Sequence, residues 1–138
     1  MSNKFTICII DDDDVYQYSA ERTIREEDIA QSVMVFSEAE NALQYLAENS
    51  AMPEKLPEVI LLDIFMPVMD GWEFLDEYVK LKPKINKKIL LYVVTSSVSA
   101  SDKKRAERYE GISDYIIKPV SQITFREIAK DVQKHFIN

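Results

Sequence analysis

The strongest constraint on this chain is a rhythm of five short apolar segments, each followed by a stretch with helical spacing. Residues 4–10 (KFTICII) stop at four consecutive aspartates, 11–14, and residues 32–36 (SVMVF) form a second apolar run. Residues 58–62 stop at Asp63, 88–94 (KILLYVV) at Thr95-Ser96-Ser97, and 114–117 (DYII) at Lys118-Pro119. Runs of this length, bounded by polar and turn residues, read as buried strands. Between them, Tyr16, Ala20 and Ile24 fall at i, i+4, i+8, and Ala39, Ala42, Leu43 and Leu46 form the clearest helical stripe, over 38–48. A polar loop with Pro53 and Pro57 spans 49–57. Phe74, Tyr78 and Leu81 share a face of a helix over 72–81 that Pro83 ends, and a charged helix over 101–109 is closed by Gly111. Phe125, Ile128, Ala129, Val132 and Phe136 mark a terminal amphipathic helix with Ser121 as its candidate N-cap. Five such units, without repeats or a linker, predict an α/β fold: a doubly wound, five-stranded parallel sheet covered by helices on both faces.

The 138 residues suit one domain, expected over 1–138 with a core from about 5 to 136 and no output domain. A net charge of −7 argues against nonspecific nucleic-acid binding and permits a cation or a basic partner surface. No apolar run is long enough to span a bilayer, and the first residues carry no signal-peptide pattern. Cys8 is the only cysteine and reads as a small buried group, so neither a disulfide framework nor a thiolate cluster is available. The expected compartment is a reducing cytoplasm.

In a parallel sheet the carboxyl ends of the strands share one edge, where ligands of open α/β folds bind. Asp11-Asp12, Asp63, Thr95-Ser96 and Lys118 should therefore converge. Three adjacent carboxylates repel unless a cation neutralises them, and a hard divalent ion with oxygen ligands, such as Mg²⁺, is the natural partner. A lysine and a hydroxyl beside that ion suit an incoming anion, and an aspartate can act as a nucleophile to form an aspartyl-phosphate. The acidic run leaves two registers. The ligand pair is Asp11 and Asp12 if the strand stops at Ile10, and Asp12 and Asp13 if it runs one residue further. Taken singly these signals are ordinary: an acidic helix start, a turn former ahead of Pro67 and Gly71, a helix cap, a Lys-Pro loop. Their strength lies in recurring at successive strand ends.

Ile9-Ile10-Asp11-Asp12, the run from Leu62-Asp63 through Met66-Pro67 to Asp70-Gly71, Val94-Thr95-Ser96 and Tyr115-Ile116-Ile117-Lys118-Pro119 together resemble the receiver domains of two-component response regulators. The resemblance covers about residues 5–136. It implies a flavodoxin-like sheet in the order 2-1-3-4-5. By the same resemblance Asp63 is the phosphoacceptor, taking its phosphoryl group from a phosphohistidine. Asp12 is a direct Mg²⁺ ligand, Asp11 supports it through water, and the Phe65 backbone carbonyl completes the protein ligands, with Mn²⁺ a substitute ion. Thr95 binds a phosphoryl oxygen and Lys118 neutralises another. Tyr115 is the aromatic switch, and the Lys118-Pro119 bond is cis.

The resemblance further implies a sensor histidine kinase or histidine phosphotransfer protein as donor. Its downstream protein target docks on the fourth helix, fifth strand and fifth helix, with no direct role for nucleic acid or membrane. The expected function is a stand-alone receiver that switches its surface to regulate a partner or passes phosphate on in a phosphorelay. It is not an enzyme in its own right, though it catalyses its own phosphotransfer and slow dephosphorylation. Two alternatives stand beside it. A metal-dependent aspartyl-phosphate phosphatase would need an acid/base carboxylate where this chain has Phe65, and a cap. A degenerate receiver would act as a binding module without phosphorylation. Phe65 and Ser97 flank the site at positions that tune dephosphorylation in the family. Met66 and Met69 read as packing residues, Trp72 as a helix cap or surface residue, and His135 as an exposed one.

Overall fold

The computed structural model describes residues 4–136; the two ends of the expected 1–138 domain lie outside the described residues. The chain alternates β1 (Thr6–Ile10), α1 (Asp14–Glu26), β2 (Ser32–Phe36), α2 (Ala39–Glu48), β3 (Val59–Leu62), α3 (Gly71–Leu81), β4 (Leu90–Thr95), α4 (Ala100–Ala106), β5 (Ile112–Ile117) and α5 (Gln122–Phe136). Single 3₁₀ turns lie at Pro53–Lys55 and Lys82–Lys84. All strand pairs are parallel, in the order β2-β1-β3-β4-β5, as the resemblance implies. Strands β1, β3 and β4 are buried on both faces, which is why they read as continuous apolar runs, whereas edge strands β2 and β5 are partly exposed. Alternate residues feed two cores. Cys8, Ile10, Ile60, Leu62, Leu91 and Val93 pack with α2 and α3; Ile7, Ile9, Leu61, Tyr92 and Val94 pack with α1 and α5. No helix among the described residues is long and apolar enough to cross a membrane.

Three local features depart from the sequence reading. The charged fourth helix stops at Ala106, not at Tyr109, and Gly111 does not cap it in the left-handed conformation. Ala106 is its only buried residue, so no apolar stripe prolongs it. The chain instead tightens through Arg108 N–H to Arg105 O and Tyr109 N–H to Ala106 O. Strand β5 begins at Ile112, two residues early, because a register irregularity opposite Leu91/Tyr92 absorbs the extra length. Trp72 neither caps nor lies on the surface: it is 5% exposed, stacks on Tyr109 at 5.9 Å between centroids, and carries the Arg105 guanidinium at 4.6 Å. Asp70 caps α3 instead, in a reciprocal capping box with Glu73.

The turn behind Asp63 is tight. A Cβ on Gly71 would lie 2.5 Å from Ile64 Cα and 2.6 Å from the Asp63 carbonyl, so only glycine lets α3 pack against the chain that carries Asp63. Val68, 86% exposed, holds a left-handed φ of 67°, a costly conformation for a β-branched residue. In urea denaturation, Gly71→Ala is expected to lose at least about 2 kcal/mol, and Val68→Asn to gain about 1 kcal/mol. Equal midpoints for all three proteins would contradict this reading of the turn.

Candidate functional site

The sheet's hydrogen bonding continues one residue past three strands and so fixes the polar ends. Asp11 N–H donates to Phe36 O at 3.0 Å, Asp63 N–H to Ile10 O at 3.0 Å, and Lys118 N–H to Thr95 O at 2.8 Å. Strand β1 stops at Ile10, and Asp13 is spent as the N-cap of α1, its carboxylate accepting from the N–H groups of Val15 and Tyr16. The carboxylates that meet are therefore Asp11, Asp12 and Asp63, with ligand oxygens all within 4.8 Å of one another. Asp11 and Asp63 are buried and Asp12 is exposed. Three carboxylates so close fit a hard divalent cation, because oxygen donors of like charge need one to sit together.

Lys118 Nζ lies 2.7 Å from Asp11 Oδ2 and 3.5 Å from Asp63 Oδ2. Asp63 Oδ1 accepts from Phe65 N–H at 3.2 Å, and Asp11 Oδ1 from Asp13 N–H at 2.9 Å. Burial raises the Asp63 carboxyl above the usual carboxylate range, against the pull of Phe65 N–H and Lys118 and with the help of Asp12. Burial also raises Asp11, while its bonds to Lys118 and Asp13 act the other way and Asp63 adds to the rise. For Lys118 burial acts downward, but the bond to Asp11 and the charges of both aspartates outweigh it, and its pKa is raised. The ammonium is therefore charged at any working pH.

Thr95 is fully buried at the end of β4, and its Oγ1 accepts from Ser97 N–H at 3.2 Å. Tyr115, half-buried on β5, donates its hydroxyl to Ser97 O at 3.2 Å, and Ser97 Oγ donates to Asp102 in α4 at 2.7 Å. Phe65 is exposed beside the acidic group, and the Lys118-Pro119 peptide is cis. Cys8 is buried with its thiol pushed up to about 12 by burial, and His135 is exposed on α5. Two participants escaped the sequence reading. Gln17 donates its amide to the Asp11 carbonyl, and Tyr16 lies with its ring 4.5 Å from Lys118 Nζ. Tyr16 stood out only as part of the helical stripe; its position two residues past the acidic run was the available signal.

The family model of the response regulator receiver domain matches residues 7–130. The chain belongs to this family. A two-component response regulator from Cytophaga hutchinsonii shares the receiver's fold with a TM-score of 0.85 and 24% identity, over 97% of this chain and 99% of the other. A receiver protein from Dyadobacter fermentans is 28% identical with a TM-score of 0.79, over 92% and 96% of the two chains. Among curated proteins, the sensor histidine kinase CheAY of Helicobacter pylori is 40% identical over 84 residues, 61% of this receiver. The aligned part is 10% of the kinase, so this chain spans about a tenth of that relative's length.

Raised carboxyl pKa values carry a stability consequence. Above its folded pKa the buried Asp63 carboxylate costs stability; below the unfolded value of about 3.9 that cost vanishes. In metal-free buffer Asp63→Asn is therefore expected to melt above wild type at about pH 7, with the gap closing as pH falls through the carboxylate range. Added Mg²⁺ should close the gap from the other side by raising wild type. Thermal melts across pH check this; a wild type that melts higher without metal at neutral pH contradicts it.

Proposed function

We propose that this receiver accepts a phosphoryl group on Asp63 from a phosphohistidine and converts that event into a changed surface. The observation that carries the reading is Asp63 itself, buried at the strand end with a lysine ammonium 3.5 Å from Oδ2 and two further aspartates around it. In the transfer, an Asp63 carboxylate oxygen forms the bond to phosphorus while the donor's P–N bond breaks, its electron pair leaving with the imidazole. Lys118, placed between Asp11 and Asp63, can turn a donor proton towards a phosphoryl oxygen, and the Thr95 hydroxyl hydrogen-bonds another. Asp12 directly, Asp11 through water, Asp63 and the Phe65 carbonyl would hold Mg²⁺, with Mn²⁺ able to replace it. When bound, that ion neutralises charge on the transferring group. The exposure of Asp12 and the pairing of buried Asp11 with Lys118 support this division between the two acids.

Thr95 Oγ1 holds Ser97 N–H, and the Ser97 carbonyl holds the Tyr115 hydroxyl, so a Thr95 drawn to the phosphoryl group passes its movement to Tyr115. The output surface is then α4, β5 and α5, read by a protein target. A histidine kinase or histidine phosphotransfer protein is the donor, a reading supported by similarity to a relative named as a sensor histidine kinase. Receiver domains are generally signalling phosphoacceptors and not enzymes in the ordinary sense. A cytoplasmic location suits such a donor.

With a small acyl phosphate and Mg²⁺, wild type is expected to take up one labelled phosphoryl group. EDTA should abolish uptake and added Mg²⁺ or Mn²⁺ restore it. Lys118→Met should slow uptake about a hundredfold. An Asp63→Asn protein that labels as well as wild type overturns the assignment.

A further inference from the structure

Lysine 118 is held by more than its carboxylates. Its ammonium lies 4.5 Å from the centroid of the Tyr16 ring, close enough for a cation–π attraction. Tyr16 sits in the first turn of α1 and packs partly against the core shared by α1 and α5. Its hydroxyl is buried and finds no hydrogen-bond partner among the described residues. A buried phenol left unpaired is a cost, so the oxygen gives no reason for tyrosine here. The aromatic face does. Three carboxylates already crowd the site, and the phosphoryl group adds further negative charge. A fourth anion placed to hold the lysine would repel that group, whereas a neutral ring attracts the ammonium without adding charge. The ring also uses none of the three N–H donors. Two of them suffice for Asp11 and Asp63, which leaves one for a phosphoryl oxygen.

We propose that Tyr16 is a positioning residue for phosphoryl acceptance, its ring face holding the Lys118 ammonium at the height where it bridges Asp11 and Asp63. The inference rests on the phosphoacceptor reading above and assigns a role to a residue outside the strand-end motifs. It requires the ring and not the hydroxyl, so Y16F should behave as wild type and Y16L should not.

Two measurements on the full chain separate the possibilities. In NMR spectra of labelled protein without metal or phosphate, the Lys118 ε-CH₂ protons should lie upfield of other lysines through the ring current, in wild type and Y16F alike, and return to ordinary values in Y16L. In a titration with beryllofluoride and Mg²⁺, Y16L should bind the phosphoryl mimic about fivefold more weakly, with Y16F matching wild type. Unchanged Lys118 shifts and affinity in Y16L overturn the proposal, as does a Y16F protein that loses as much affinity as Y16L. If Y16L melts below the assay temperature, Y16M makes the same comparison. Wild type with displaced Lys118 shifts that binds no mimic overturns the phosphoacceptor reading and the inference with it, a failure distinct from equal behaviour of the variants.

Discussion

One lysine ammonium set against three carboxylates is the interaction on which this site depends. Lys118 approaches Asp11 at 2.7 Å and Asp63 at 3.5 Å, while Asp12 completes the acidic group from the solvent side. One positive charge does not balance three negative ones, and burial sharpens the imbalance because Asp11 and Asp63 have little water to share it with. Burial is the main cause of the raised pKa of both carboxyls, and a neighbouring carboxylate adds to each rise. A metal ion would relieve it, and a phosphoryl group would then meet a metal and a lysine together. Local cost at a site surrounded by well-satisfied structure is the pattern expected where function opposes stability.

The scaffold tolerates this cost because backbone bonds leave the charged residues little freedom. Asp11, Asp63 and Lys118 each donate their N–H to the neighbouring strand, which carries the sheet's register into the site. Gly71 brings the start of α3 onto the Asp63 carbonyl, where no side chain would fit. The same rigidity suits signalling. Thr95, Ser97, Tyr115 and Asp102 are joined by successive hydrogen bonds from the site to α4 and β5, so a displacement at Thr95 has a defined route outwards.

Much of this was legible in the sequence, for reasons that differ by element. The central strands announced themselves because parallel strands covered on both faces must be apolar throughout, and their ends because buried runs cannot continue through aspartate or lysine. The acidic register stayed open in the sequence, because four consecutive aspartates do not mark where β1 stops; the strand end at Ile10 brings Asp11 and Asp12 to Asp63. The end of α4 was less legible: charged helices carry no stripe to count, and the chain turns where Tyr109 finds Trp72. Trp72 was misread because contact with a residue 37 positions away leaves no local pattern. The start of β5 depended on an irregularity that only pairing reveals. Tyr16 was visible as core but not as the lysine's support, since that contact joins α1 to the far end of β5.

The central claim is that Asp63, and no other aspartate of the cluster, becomes the acyl phosphate. Borohydride reduces an aspartyl-phosphate to homoserine, so protein treated with an acyl phosphate and Mg²⁺, reduced and digested, records the acceptor in its peptide masses. The expected result is homoserine at position 63, with Asp11, Asp12 and Asp13 intact. Homoserine at any of those three with Asp63 unmodified, or phosphate retained on a hydroxyl such as that of Thr95, would contradict the account.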